Sequence, residues 1–167
     1  DGAAWCLVSP VDRPAFMQAP EPSGDIGGWK NCLIAVDELD MLVTSKNHDL
    51  KAARMAHGSP EDWVFALVSL QTQEGVLGAG NYGISRMNRG FASRCGVGLH
   101  PNGNWGARWL RDLRVLTAKR EAVAQAWGFA VSKGHALVWT IPWDGSDSLA
   151  PGSLDPWYIE ICRRIRL

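Results

Sequence analysis

Apolar and polar positions alternate in distinct regimes along the chain. Ser59-Pro60-Glu61-Asp62 precedes the dense apolar set Trp63, Phe65, Ala66, Leu67, Val68 and Leu70. A Ser that can cap free amides, a Pro at the first helical position and two acids at the positive dipole end predict a helix starting there. It should run to about Glu74, where Gly75 suits a left-handed stop. With so little polar face, the helix is expected to be substantially buried. A second helix is expected from about Asn104 to Trp127, stopped by Gly128. Trp109, Leu113, Leu116, Val123 and Trp127 approximate one stripe of it, and Arg108, Arg111, Arg114, Lys119 and Arg120 fill much of the rest. This pattern predicts one packed side and one basic side.

The remaining segments read as strands and loops. Residues 9–31 hold Pro10, Pro14, Pro20, Pro22, Gly24, Gly27 and Gly28, too many backbone breakers for a long helix or a central strand. Asp37 to Lys51 passes from acidic through a short apolar run to a polar cluster and reads as a strand ending in a loop. His135–Ile141 reads as a strand, Trp143–Pro156 as a turn-rich loop, and Trp157–Leu167 as a closing strand. The expectation is a single α+β domain spanning 1–167, with a mixed or mainly antiparallel sheet and two substantial helices.

Composition narrows the class. The chain has 167 residues, 46% of them apolar and 20% charged, which excludes a disordered tail. Its apolar runs fall well short of the roughly 20 residues that a membrane-spanning helix requires. The 17 basic residues balance the 17 acidic ones, so no membrane or polyanion partner follows from global charge. Their distribution says more: from Asn81 to Arg120 there are eight basic residues against Asp112 alone. Such a concentration attracts phosphates in spite of zero net charge. Cys6, Cys32, Cys95 and Cys162 lie far apart, with no zinc-ligand spacing. No signal peptide is evident, so the thiols are expected to be reduced, mostly as small core residues of a cytoplasmic protein. Most of the nine tryptophans are expected to be core anchors, with one or two left to stack on bases.

Gly78-Ala79-Gly80-Asn81-Tyr82-Gly83 fits G-x-G-x-x-G. A dinucleotide-binding loop must follow a strand, open a helix and be trailed by an acid about 20 residues on. Here a capped helix precedes, and no acid stands between Glu74 and Asp112, so the dinucleotide reading is set aside. What remains is a glycine loop followed by Arg86, Asn88, Arg89 and Arg94, with Tyr82 and Phe91 interleaved. Glycines let backbone amides approach a phosphate-sugar chain, and arginines add bidentate contacts. The same residues would serve equally as turn glycines and a solvated arginine face. Thr44, Ser45, Lys46, Asn47 and His48, with Lys51 beyond them, offer groups that touch phosphates or base edges, or simply form a polar hairpin. The four histidines are scattered and point to no catalytic set. Arg163, Arg164 and Arg166 add a further cationic patch that either extends a nucleic-acid track or covers an edge strand.

Several stretches taken together resemble a known family: Phe16–Gln18, Leu39–Met55, Gly80–Asn88, Ser93-Arg94, Trp109–Leu116 and Asp155–Leu167. In that order they are similar to CasA, the large subunit of the type I-E CRISPR surveillance complex, Cascade. The resemblance covers most of the chain from about Arg13 and corresponds to the central part of the CasA amino-terminal domain, without its carboxy-terminal helical bundle. It implies a non-catalytic DNA-recognition subunit that reads the protospacer-adjacent motif, helps to load target DNA and contacts crRNA-bound Cascade subunits. No cofactor, metal or small-molecule substrate is implied. The family's groove-reading glycine loop corresponds to Gly78, Ala79, Gly80 and Asn81, and its mobile loop near the crRNA end to Thr44 through Lys51. Arg89 stands where a second glycine is expected, and Cys95 where a proline is expected. The alternative is a structural fragment that binds Cascade subunits without recognising DNA itself.

Overall fold

A computed structural model describes residues 2–38, 57–72, 83–84 and 99–167. Helix α1 spans Pro60–Thr72 and helix α2 spans Trp105–Trp127. The α1 start is local chemistry. The Ser59 amide and hydroxyl donate to one Asp62 carboxylate oxygen at 2.9 and 2.8 Å, and the Asp62 amide donates back to the Ser59 hydroxyl at 3.3 Å. This reciprocal cap lowers the Asp62 pKa, through the Ser59 hydroxyl first and its backbone second. Helix α2 begins at Asn104, whose side chain accepts from the Ala107 amide at 2.9 Å, and ends at Gly128 with φ 72°. Burial of α1 is one-sided: Leu67, Leu70 and Gln71 are inside, whereas Phe65 faces solvent.

The sheet overturns the expectation of mixed or mainly antiparallel pairing. Among the described residues it has two strands, β1 (His135–Leu137) and β2 (Leu154–Ile159), and they run parallel. A parallel pair needs a long connection rather than a hairpin. Residues 138–153 supply it, through a 3-10 turn at Val138–Thr140, the Trp143 loop and a second 3-10 turn at Pro151–Ser153. The register is irregular: His135 faces Leu154 and Leu137 faces Ile159. Pro156 has no amide to donate, and the Trp157 amide donates to the Asp155 carboxylate at 2.8 Å instead, so two successive ladder donors are missing. The strand expected over His135–Ile141 is therefore only three residues long, and the closing strand begins inside the segment read as a loop. Residues 9–31 form no helix and turn repeatedly, as their prolines and glycines predict. Of the segment read as a strand from Asp37, Asp37 and Glu38 lie in a 3-10 turn with Val36, and the remainder is outside the described residues.

Met17, Ala19, Ile84, Val138, Trp139, Trp143, Leu154 and Ile161 form the core cluster. It draws on the amino-terminal loop, the 138–143 connection and β2 with its continuation. The tryptophan expectation is corrected here: Trp139 and Trp143 are buried, but Trp5, Trp105, Trp109, Trp127 and Trp157 are exposed. Of the three described cysteines only Cys162 is buried, and Cys6 and Cys32 are exposed.

Gly134 enters β1 where the strands come closest. A Cβ there would lie 2.5 Å from the Asp155 nitrogen and 2.7 Å from the Leu154 carbonyl carbon, both backbone atoms that cannot swing aside. Gly134→Ala is expected to lower unfolding free energy by about 2–3 kcal/mol in urea denaturation. A loss below about 0.5 kcal/mol would mean that the strands are not so close.

Candidate nucleic-acid interface

Thr44, Ser45, Lys46, Asn47, His48 and Lys51 lie outside the described residues, as do Gly78, Ala79, Gly80, Asn81, Tyr82, Arg86, Asn88, Arg89 and Arg94. Two neighbours of the second group are described. Gly83, the last glycine of the G-x-G-x-x-G stretch, is buried, and a Cβ on it would lie 3.0 Å from the Glu160 carboxyl and from the Ile161 carbonyl oxygen. Ile84 sits in the core, with its amide donating to the Ile161 carbonyl at 3.1 Å and its carbonyl accepting from Leu149 at 2.6 Å. At this point the glycine pattern serves packing.

The described part of the basic stretch is helix α2, and it stands largely clear of the body. Ala124 is its one buried residue. Among the described residues, the hydrogen bonds and ion pair that tie the helix to the segments following it lie in its carboxy-terminal half. Arg120 pairs with Asp155 through Nε at 2.9 Å and through Nη2, and its Nη1 donates to the Val131 carbonyl at 2.7 Å. The Trp157 indole donates to the Leu116 carbonyl at 3.1 Å. Arg120 is thereby removed from the free basic face.

The expected packed stripe is corrected by exposure: Trp105 is 83% and Trp109 64% exposed, and Leu113 and Leu116 are also exposed. A period of 3.6 residues specifies that a helix has an apolar side, not what meets it. On the remaining faces Arg111, Arg114 and Lys119 are exposed. Arg111 holds Asp112 at 2.6 Å in an open ion pair, which is worth little in water. Arg108 lies over the Trp105 ring, 5.4 Å from its centroid, and approaches His100 at 3.3 Å. The helix thus offers flat indole faces and guanidinium groups on one exposed rod, chemistry suited to phosphates and bases.

The carboxy-terminal arginines behave differently from the patch the sequence suggested. Arg164 pairs with buried Glu21 and stacks on Trp29, 4.8 Å from the ring centroid. Arg166 donates to the carbonyls of Ser9 and Pro10 at 2.8 Å each and of Arg13 at 3.0 Å. Burial pushes its pKa down while nearby Asp12 pulls it up. These two side chains fasten the amino-terminal loop. Beside them lies an open groove of about 750 Å³, walled by residues 26–33 and 163–167 and floored in part by Trp63 and Leu70. Sequence reasoning missed it; the available signal was Trp29-Lys30-Asn31, an aromatic, a cation and an amide placed just after a glycine turn.

No helix among the described residues is long and apolar enough to cross a membrane. Comparisons with protein-family models, curated proteins and solved structures give no match.

Proposed function

We propose that the chain is a non-catalytic nucleic-acid-recognition subunit of a CRISPR Cascade complex, contacting duplex DNA at the protospacer-adjacent motif and helping to load the target. The observation that carries this reading is the acid-poor basic stretch from Asn81 to Arg120, whose helical part presents Arg111, Arg114 and Lys119 to solvent. The ordered set of CasA-like stretches supports the same reading. Base pairing with the guide then supplies most sequence specificity, and the protein needs only phosphate contacts and a few base-pair edges.

The test is duplex binding as a function of salt, alone and after reconstitution with crRNA and the other Cascade subunits. Affinity should fall steeply with salt, and Arg111→Ala with Arg114→Ala should weaken binding about tenfold and reduce the log–log slope by about 2. Gly80→Trp should erase discrimination between motif variants. The structural-fragment reading keeps one specific observation in its favour, the uncovered stripe Trp105, Trp109, Leu113 and Leu116. Tight binding to Cascade subunits with no salt-dependent affinity for DNA would establish that reading and defeat the first.

A further inference from the structure

We infer that the groove between residues 26–33 and 163–167 binds a nucleoside monophosphate, with the base against the indole of Trp29 or Trp63 and the phosphate beside Lys30. This site is separate from helix α2 and does not depend on the DNA-binding role proposed for that helix.

The walls are held before any ligand arrives. On the carboxy-terminal side Gln71 bonds the Arg163 amide at 2.9 Å and its carbonyl at 3.0 Å, and the Leu167 amide donates to Gln18 at 2.8 Å. Arg164 and Arg166 are fixed as described above. On the opposite side the Trp29 amide closes a turn on the Ile26 carbonyl at 2.9 Å, and the Glu38 carboxylate accepts from the Ile34 and Ala35 amides at 2.7 and 3.0 Å. A groove whose walls are already hydrogen-bonded loses little freedom on binding. Its volume falls within the roughly 300–1,000 Å³ of small-molecule sites.

The lining chemistry selects the ligand class. Leu33, Leu70 and Ile165 supply apolar contact, and Trp63 and Trp29, the latter with Arg164 over one face of its ring, supply π surfaces. The electrostatics favour an anion. Arg164 pairs with Glu21 and also interacts with Asp144, Arg166 is bonded to neutral carbonyls with Asp12 nearby, and Lys30 is exposed with no ion pair among the described residues. Among the described residues Glu38 is the one acid lining the groove. Asn31 adds an amide able to donate to and accept from a base edge. An aromatic ring carrying a compact anion satisfies all of these features, which neither an apolar ligand nor a bare anion does.

Cys32 lines the groove and is exposed, while Cys6 is exposed and outside it. Iodoacetamide labelling of the two thiols, read by peptide mass spectrometry, therefore reports on this site with an internal control. Millimolar AMP should slow labelling of Cys32 at least about fivefold and leave Cys6 unchanged, with adenosine or inorganic phosphate alone far less effective. Trp29→Ala should raise the half-protecting concentration at least about fivefold, the lower end of what one base–aromatic stack contributes. Lys30→Glu, a surface change that should leave the thermal midpoint unaltered, should raise it by a similar factor. Arg111→Ala with Arg114→Ala should leave protection intact, which separates this result from failure of the DNA reading. A 5′-phosphorylated oligoadenylate protecting at lower concentration than AMP identifies the ligand as a strand end, and equal or weaker protection identifies a free nucleotide. The inference is overturned by unchanged Cys32 labelling at ~10 mM AMP and phosphorylated strand alike, by phosphate protecting as well as AMP, or by protection insensitive to Lys30→Glu.

Discussion

Gln71→Leu is expected to lower the unfolding free energy by about 4 kcal/mol, measured by urea denaturation. Gln71 is fully buried on α1, and its amide uses both ends. The Nε2 donates to the Met17 carbonyl at 2.9 Å and to the Arg163 carbonyl at 3.0 Å. The Oε1 accepts from the Cys162 amide at 2.7 Å and the Arg163 amide at 2.9 Å. One side chain thus ties the helix, the amino-terminal loop and the carboxy-terminal segment together. Leu has similar bulk but leaves two amides and two carbonyls facing apolar surface, and each buried group without a partner costs about 1–3 kcal/mol. Against a total stability of roughly 5–15 kcal/mol for a domain, that loss is a large share. Gln125→Leu on exposed α2 serves as the comparison and should change stability by less than about 0.5 kcal/mol. A loss below about 1 kcal/mol at Gln71 would show that water replaces its bonds and that the junction is more open than described.

Trp139→Ala should cost about 4 kcal/mol, with a correspondingly lower thermal midpoint. The ring is 1% exposed. It meets Trp5 and Phe16 edge-on with centroids 5.8 Å away in both cases, and its indole nitrogen donates to the Ala4 carbonyl at 2.9 Å. Removal empties a site bordered by rigid aromatics that collapse poorly into a void, and it releases the 3-10 turn Gly2–Trp5. Trp139→Phe should fall between, at about 2 kcal/mol, because it retains much of the apolar bulk but not the donor. Trp109→Ala, which removes an indole of the same size from solvent, should stay within about 0.5 kcal/mol. Equal losses at the two positions would mean that the α2 stripe is covered after all.

The contrast between these tryptophans marks what the sequence could convey. Both helix starts were legible because capping is local: Ser59 and Asp62 are three residues apart, as are Asn104 and Ala107, and Gly128 stops α2 where a left-handed residue is needed. The fate of the apolar stripe on α2 was not legible, since periodicity carries no information about a partner. Strand direction was equally hidden. Pro156 reads as a turn residue but lies within β2, at the irregular register that its missing amide helps to create. The proposed DNA loops around Thr44–Lys51 and Gly78–Arg94 were readable as chemistry, from glycines beside arginines; apart from buried Gly83 and Ile84 they lie outside the described residues. Gln71 and Arg164 gave no advance signal, because the partners of Gln71 are 54 to 92 residues distant and Glu21 is 143 residues from Arg164. The groove beside Trp29 escaped notice for the same reason: its walls come from opposite ends of the described chain.

Arg166 bears on the order in which the molecule can be assembled. Its bonds to Ser9, Pro10 and Arg13 span 153–157 positions, so during vectorial synthesis this loop leaves the ribosome long before its anchor exists. Until Arg166 emerges, the Ser9, Pro10 and Arg13 carbonyls lack that donor and must bond water instead. Loss of the Arg166 guanidinium would therefore loosen the Ser9–Arg13 loop, far from it in sequence, rather than the segment that carries it.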